Sequence, residues 1–206
     1  MKNNENGRSM VEMLGVLAII GVLSAGGLAG YSKAMFKHKL NSTMEQITML
    51  VTNIRTMYGT QGNYDGLSNS TAVNLGAVPA IMGTGDTLTS PFKGEVHIKM
   101  STTDGTTILA NTNSEHATAF VVTYGNLPKE ACIALATADF GSGAGSGFIG
   151  TAASDTSTEG APDAQALAAA LTVGGASEGK ALTMGGNTGA IATCSTEDNS
   201  VAWKFY

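Results

Sequence analysis

The sequence predicts an α+β protein, a long N-terminal helix packed on a head of antiparallel β-sheet with one disulfide-bounded region. Three observations carry this. No proline interrupts Arg8 to Tyr58, so one helix can run through that whole stretch. Beyond residue 90 the chain turns to short segments of alternating or β-branched residues bounded by Gly, Asn and Asp, the pattern of strands. Two cysteines, Cys132 and Cys194, stand in a chain with an export-like N-terminus, where an even count reads as one bridge; a pair of buried free thiols is the alternative.

Taken in order, the first element is the apolar run Met13 to Tyr31, 19 residues with no ionisable side chain before the terminal tyrosine. As a helix it spans about 28 Å, the thickness of a bilayer's hydrocarbon core. Glu12 sits at its lip, where burying an unpaired carboxylate costs on the order of 3 kcal/mol, so a partner cation is expected. Ser24-Ala25-Gly26 imitates a signal-peptidase site, which keeps a cleavable signal peptide as a competing reading; the helical continuation opposes it. Lys33, Lys37 and Lys39 form a basic patch beside the apolar run and read as a lipid-headgroup contact. Gly15, Gly21, Gly26, Gly27 and Gly30 each weaken a helix by up to about 1 kcal/mol yet permit close helix approach. Of these, Gly26, Gly27 and Gly30 mark where the helix is expected to bend or melt.

From Leu40 the pattern becomes amphipathic. Leu40, Met44, Ile47, Val51, Ile54 and Tyr58 recur at spacings of three and four, one stripe that faces a core, with Glu45, Asn53 and Arg55 off it. The uninterrupted helix is on the order of 75 Å long.

Gly59 to Gly66 ends the helix with turn chemistry, and Ser70 to Met82 reads as short helical turns and loops. Strands are expected at Glu95 to Met100, Thr106 to Ala110 and Thr118 to Tyr124, the first two joined by an Asp104-Gly105 hairpin turn, giving a meander. Leu127-Pro128-Lys129-Glu130 opens a helix that carries Cys132 to about Ala138. Gly141 to Gly150 is a surface loop; its glycine spacing lacks the Lys-Ser/Thr that a phosphate loop needs. A short Ala-rich helix at Pro162 to Leu171, a loop at Gly174 to Gly189 and a short strand at Ala190 to Cys194 follow. Ser200 to Tyr206 is the last strand, placed centrally, with Val201, Trp203 and Phe205 sharing the face that packs on the long helix.

Composition narrows the function. A formal net charge of -5 argues against nucleic acid as primary partner, because phosphate binding needs clustered Lys and Arg. From Glu130 to Tyr206 eight carboxylates face two lysines, so a solvated acidic face is expected. His38, His97 and His116 stand far apart without zinc spacing, and Asp155, Glu159 and Asp163 lack a calcium-loop pattern. No Gly-x-Ser-x-Gly elbow occurs, and a bridge competes for Cys132 as a nucleophile. The reading is therefore a building block with no catalytic residue, metal or cofactor; a membrane-anchored enzyme is the reading these absences disfavour.

The residues resemble a known family at this point. Gly7 followed by Arg8, Glu12 five residues past that glycine, and an apolar helix through Ile19-Ile20-Gly21 to Tyr31 are similar to the type IV pilins. Tyr58-Gly59-Thr60-Gln61-Gly62-Asn63-Tyr64, Asn74-Leu75-Gly76-Ala77-Val78-Pro79 and Pro91-Phe92-Lys93-Gly94 extend the likeness to the type IVb branch, which includes toxin-coregulated and conjugative thin pili. Arg8 departs from the phenylalanine or methionine usual there. The resemblance implies that a prepilin peptidase cuts between Gly7 and Arg8, removes residues 1–7 and methylates the new amine. Residues 8–35 would be the transmembrane and later filament-core helix, 36–58 its amphipathic half and 59–206 the head. Glu12 would pair with the α-amine of Arg8 on a neighbouring subunit; an intrahelical Arg8/Glu12 pair is the alternative. Met44, Ile47, Val51, Ile54, Tyr58 and Trp203 would pack the head. The implied protein is the major subunit of a homo-oligomeric helical filament, held in the inner membrane as precursor and displayed on the bacterial surface after the assembly machinery extracts it. A minor pilin or secretion pseudopilin, acting as primer or tip binding module, is the competing role.

Overall fold

The computed structural model describes residues 10–105, 116–141, 146–156 and 163–206. Gly7, Arg8, Glu159 and the strand expected at Thr106 to Ala110 lie outside the described residues. Two compact units divide the chain, residues 1–39 and 40–206, and helix α1, Met10–Tyr58, runs through both.

In the second unit α1 buries Thr43, Gln46, Ile47, Leu50, Val51, Ile54 and Tyr58. This face is wider than the apolar stripe because polar residues on its flanks are covered too. Asn53 Nδ2 donates to the Ala77 carbonyl at 2.9 Å. Arg55 Nη1 donates to the Ser146 carbonyl at 3.0 Å, and its guanidinium lies 5.3 Å from the Phe205 ring centre, a cation–π contact.

The sheet comprises β1 (Leu88–Thr89), β2 (Glu95–Ser101), β3 (Ala119–Leu127), β4 (Phe148–Ser154) and β5 (Asn199–Phe205), antiparallel throughout in the order β1-β2-β3-β5-β4. The last strand enters between β3 and β4, the central place expected of it, whereas β2 pairs directly with β3 instead of through the intervening strand of the expected meander. One face sends Ile98, Phe120, Val122, Tyr124, Val201, Trp203 and Phe205 into the same core as α1. The other presents Val121, Ala152 and Ala202 to Ala164, Ala168 and Ala169 of helix α4, Asp163–Ala169. Small side chains on both surfaces let that helix lie close to the strands.

The β2 edge outlasts its two-residue partner β1. Helix α2, Asn69–Asn74, supplies the remainder: Asn69 Nδ2 donates to the Val96 carbonyl at 2.9 Å and its Oδ1 accepts from Ile98 N at 2.8 Å. One side-chain amide thus stands in for a strand on an otherwise open edge. Where the chain leaves α1, Asp65 Oδ1 accepts from Ala117 N at 2.7 Å and Oδ2 lies 2.6 Å from His116 Nδ1. The His116 hydrogen bond, then the Ala117 amide, hold the Asp65 carboxyl below the usual carboxylate range.

Helix α3, Lys129–Ala136, and helix α5, Ala190–Thr193, are joined by Cys132–Cys194 across 62 residues, with both cysteines fully buried. Two expectations are corrected. Ala190 to Cys194 is not a strand: Cys194 N donates to the Ala190 carbonyl, closing a helical turn. Four residues are too few for a period to separate the two states. The loop expected at Gly141 to Gly150 gives way at Phe148 to β4, in which Gly150, Ala152 and Ala153 are poor strand formers that break up the favourable Phe148, Ile149 and Thr151. Pairing with β5 decides that segment.

Pro91-Phe92-Lys93-Gly94 forms the turn between β1 and β2, with Lys93 left-handed at φ 67°. Gly94 passes so close to β3 that a Cβ there would lie 1.8 Å from the Gly125 carbonyl oxygen. Neither backbone can retreat without breaking the sheet. Gly94→Ala is expected to lower the unfolding free energy by about 3 kcal/mol, read from the denaturant midpoint at unchanged slope; an unchanged midpoint would contradict the packing described.

Candidate assembly helix and head surface

In the first unit every large apolar side chain from Met10 to Tyr31 is exposed. The segment is helical, long enough and apolar enough to cross a membrane, and none of it is buried among the described residues. Glu12 lies in the first turn, where a carboxylate is favoured by the helix dipole; among the described residues it makes no ion pair. Lys33 and Lys37 are exposed at the other end of the run, and Lys39 is half-exposed.

α1 stays helical through Gly26, Gly27 and Gly30, and a Cβ built at any of them, or at Gly15 or Gly21, meets nothing within 4 Å. Among the described residues, no neighbouring atom requires glycine at these five positions.

In the head, Ile47, Val51, Ile54, Tyr58 and Trp203 are buried in one cluster, and Met44 packs against it half-exposed. Trp203 meets Tyr124 and Phe140 edge-on, with centroids 5.8 and 5.4 Å apart. Glu130, Asp139, Asp155, Glu197 and Asp198 are exposed. Among the described residues no three His, Cys, Asp or Glu side chains converge on a metal-sized space.

The sequence reading missed Lys204. On β5 it alternates with the core-facing residues and so points beneath α4, fully buried. Its Nζ donates to the Ala169 carbonyl at 2.5 Å and the Leu171 carbonyl at 2.7 Å, the free acceptors at the C-terminal end of α4, where a cation is favoured. Burial pushes the amine down to about 8, against the pull of the Asp104 carboxylate. The unfolded chain, with an ordinary lysine near 10.5, then binds more protons than the folded one between about pH 8 and 10.5. Stability from this group is present above that window and lost as pH falls through about 8. Relative to Lys204→Met, which cannot titrate, the unmodified protein is expected to gain up to about 1.4 kcal/mol per pH unit across it, measured by urea unfolding. A flat difference would place Lys204 in water. The one signal in the sequence was a lysine inside an alternating strand next to apolar neighbours on both sides.

The Bundlin family model matches residues 33–194. The major structural subunit of the bundle-forming pilus of Escherichia coli O127:H6 is 28% identical over 145 residues, which cover 69% of this chain and 69% of that protein; the corresponding subunit of Escherichia coli O111:H- matches to the same extent. Among solved structures, that of TcpA, a type IV pilin from the El Tor biotype of Vibrio cholerae, superposes with a TM-score of 0.51 at 19% identity, over 82% of this chain and 99% of that one.

Proposed function

The chain belongs to the Bundlin family and is a type IVb pilin, a subunit that assembles with other pilin subunits into an extracellular filament, and from that premise we propose that it is the filament's major subunit, polymerised through the apolar part of α1. The observation that supports this reading most is the division of surface. The head hides its apolar residues in a core, whereas residues 10–31 expose all of theirs, an arrangement that is stable only in lipid or among other such helices. The precursor sits in the inner membrane by this segment, a prepilin peptidase removes residues 1–7 at Gly7/Arg8, and assembly machinery moves the helix from lipid to filament core.

In that core the glycines allow helices to approach closely, and the carboxylate of Glu12 pairs with the α-amine of Arg8 on a neighbouring subunit. The Arg8 guanidinium supplies a second cation to the same acid. The protein's role is structural, not enzymatic. Its partner of first importance is another copy of itself. Mass spectrometry and electron microscopy of sheared surface material test the reading together. Expected are filaments whose main band begins at Arg8; single membrane-bound copies that retain residues 1–7 would overturn it.

A further inference from the structure

The head carries two clefts that share one ridge, formed by Met44, Thr48 and Thr52 on successive turns of α1. A cleft of about 530 Å³ lies on the Glu45 side of the ridge and one of about 400 Å³ on the Phe140 side. The ridge is apolar for a local reason. Thr48 Oγ1 donates to the Met44 carbonyl at 2.9 Å and Thr52 Oγ1 to the Thr48 carbonyl at 2.7 Å, so both exposed threonines turn their hydroxyls to the helix and leave their methyls outward. Glu45 is the charged residue lining the first cleft; Asp139 and Arg55 both line the second, the Arg55 guanidinium held by the Ser146 carbonyl and the Phe205 ring.

The same chain displays a matching protrusion. Met184 and Ile191 are 59% and 53% exposed and are held side by side, Ile191 N donating to the Met184 carbonyl at 3.2 Å. The disulfide at Cys194 anchors the segment at one end and the Leu182 amide, bound to the Ala136 carbonyl, at the other. Lys180 precedes it, exposed, its Nζ donating to the Ala176 carbonyl at 3.0 Å with its other donors open to solvent, and is the only lysine from Glu130 to Tyr206 besides the buried Lys204. An apolar knob with a lysine close by in sequence thus faces outward from a molecule that also offers an apolar cleft rimmed by the Glu45 carboxylate.

We propose that the cleft between the Met44-Thr48-Thr52 ridge and Glu45 receives the Met184/Ile191 knob of a second copy of this chain, with that copy's Lys180 meeting Glu45. The inference rests on the filament reading above. Two different patches joined head to tail generate an open helical array, not a closed dimer. The charge complement fixes the register, and the groove lies on the same helix whose apolar half assembles the filament, so the contacts of assembly continue along α1.

The test is made on sheared filaments of the full chain. A Thr48→Cys/Met184→Cys pair is expected to give a ladder of covalent multimers on a non-reducing gel, collapsing to monomer with reductant, while either single variant stays monomeric. Filaments that remain monomeric with both cysteines overturn the docking. Independently, Glu45→Lys is expected to cut filament yield at least fivefold and Glu45→Lys/Lys180→Glu to restore most of it; a double variant no better than the single overturns the pairing, including where the cysteine pair itself blocks assembly. Absence of filaments from the unmodified chain would instead refute the filament reading, so the two failures are distinct.

Discussion

A Glu12→Ala variant is expected to fold, insert in the membrane and accumulate to the normal level, yet to yield no filaments. Glu12 is exposed and lies in the first unit, remote in sequence from every residue of the head core, so its removal leaves head stability unchanged. In the filament the loss falls on the partner. The α-amine and guanidinium of the neighbouring Arg8 would then be carried among apolar helices without a counter-ion, which costs on the order of 3 kcal/mol per charge. That is roughly 150-fold in the equilibrium for each subunit added. Repeated at every step, it stops polymerisation. Glu12→Gln should fail as well, because an amide keeps the shape but not the charge. Membrane fractionation and electron microscopy check both variants. Normal filaments from Glu12→Ala would show that the acid serves only an intrahelical pair with Arg8.

The second large effect is expected from Cys132→Ala/Cys194→Ala. The bridge closes a loop of 62 residues, and in the chain-entropy model such a closure contributes about 4 kcal/mol by restricting the unfolded chain. Against a total stability of typically 5–15 kcal/mol this is a large share. The loss should be uneven. α5 has only four residues and is tied to α3 by the disulfide, whereas β5 is paired on both sides and roofed by α1 and α4. Hydrogen exchange is expected to accelerate most at Ala190 to Cys194 and least in β3 and β5, while the denaturant midpoint falls. An exchange pattern and midpoint equal to those of the unmodified head would mean that packing alone holds the region. Because both sulfurs are fully buried, mild reductant should leave the folded protein oxidised until the head opens.

The legibility of this protein follows the range of its interactions. α1 was readable because periodicity and absence of proline are properties of neighbouring residues, and Glu12 stood out as one acid beside a run with none. The Ser200 to Tyr206 strand was readable for the same reason, down to the shared face of Val201, Trp203 and Phe205. β4 was not, since glycine and alanines interrupt its Phe148, Ile149 and Thr151 and leave no clear alternation until β5 pairs with it. Nor was the role of Arg55, which lay off the apolar stripe and is covered only because Ser146 and Phe205 come to it from more than ninety residues away.

By itself the sequence determined a long helix with a naked apolar half, an acid at its tip and two cysteines able to pin a head, because each is written in local composition and spacing. Only the tertiary structure decided the strand order, the turn of helix at α5, the second layer under which Lys204 is buried and the groove on α1. Those depend on which distant segments meet. Burial is a property of the neighbour that arrives, and no residue carries its neighbour's coordinates in its own identity.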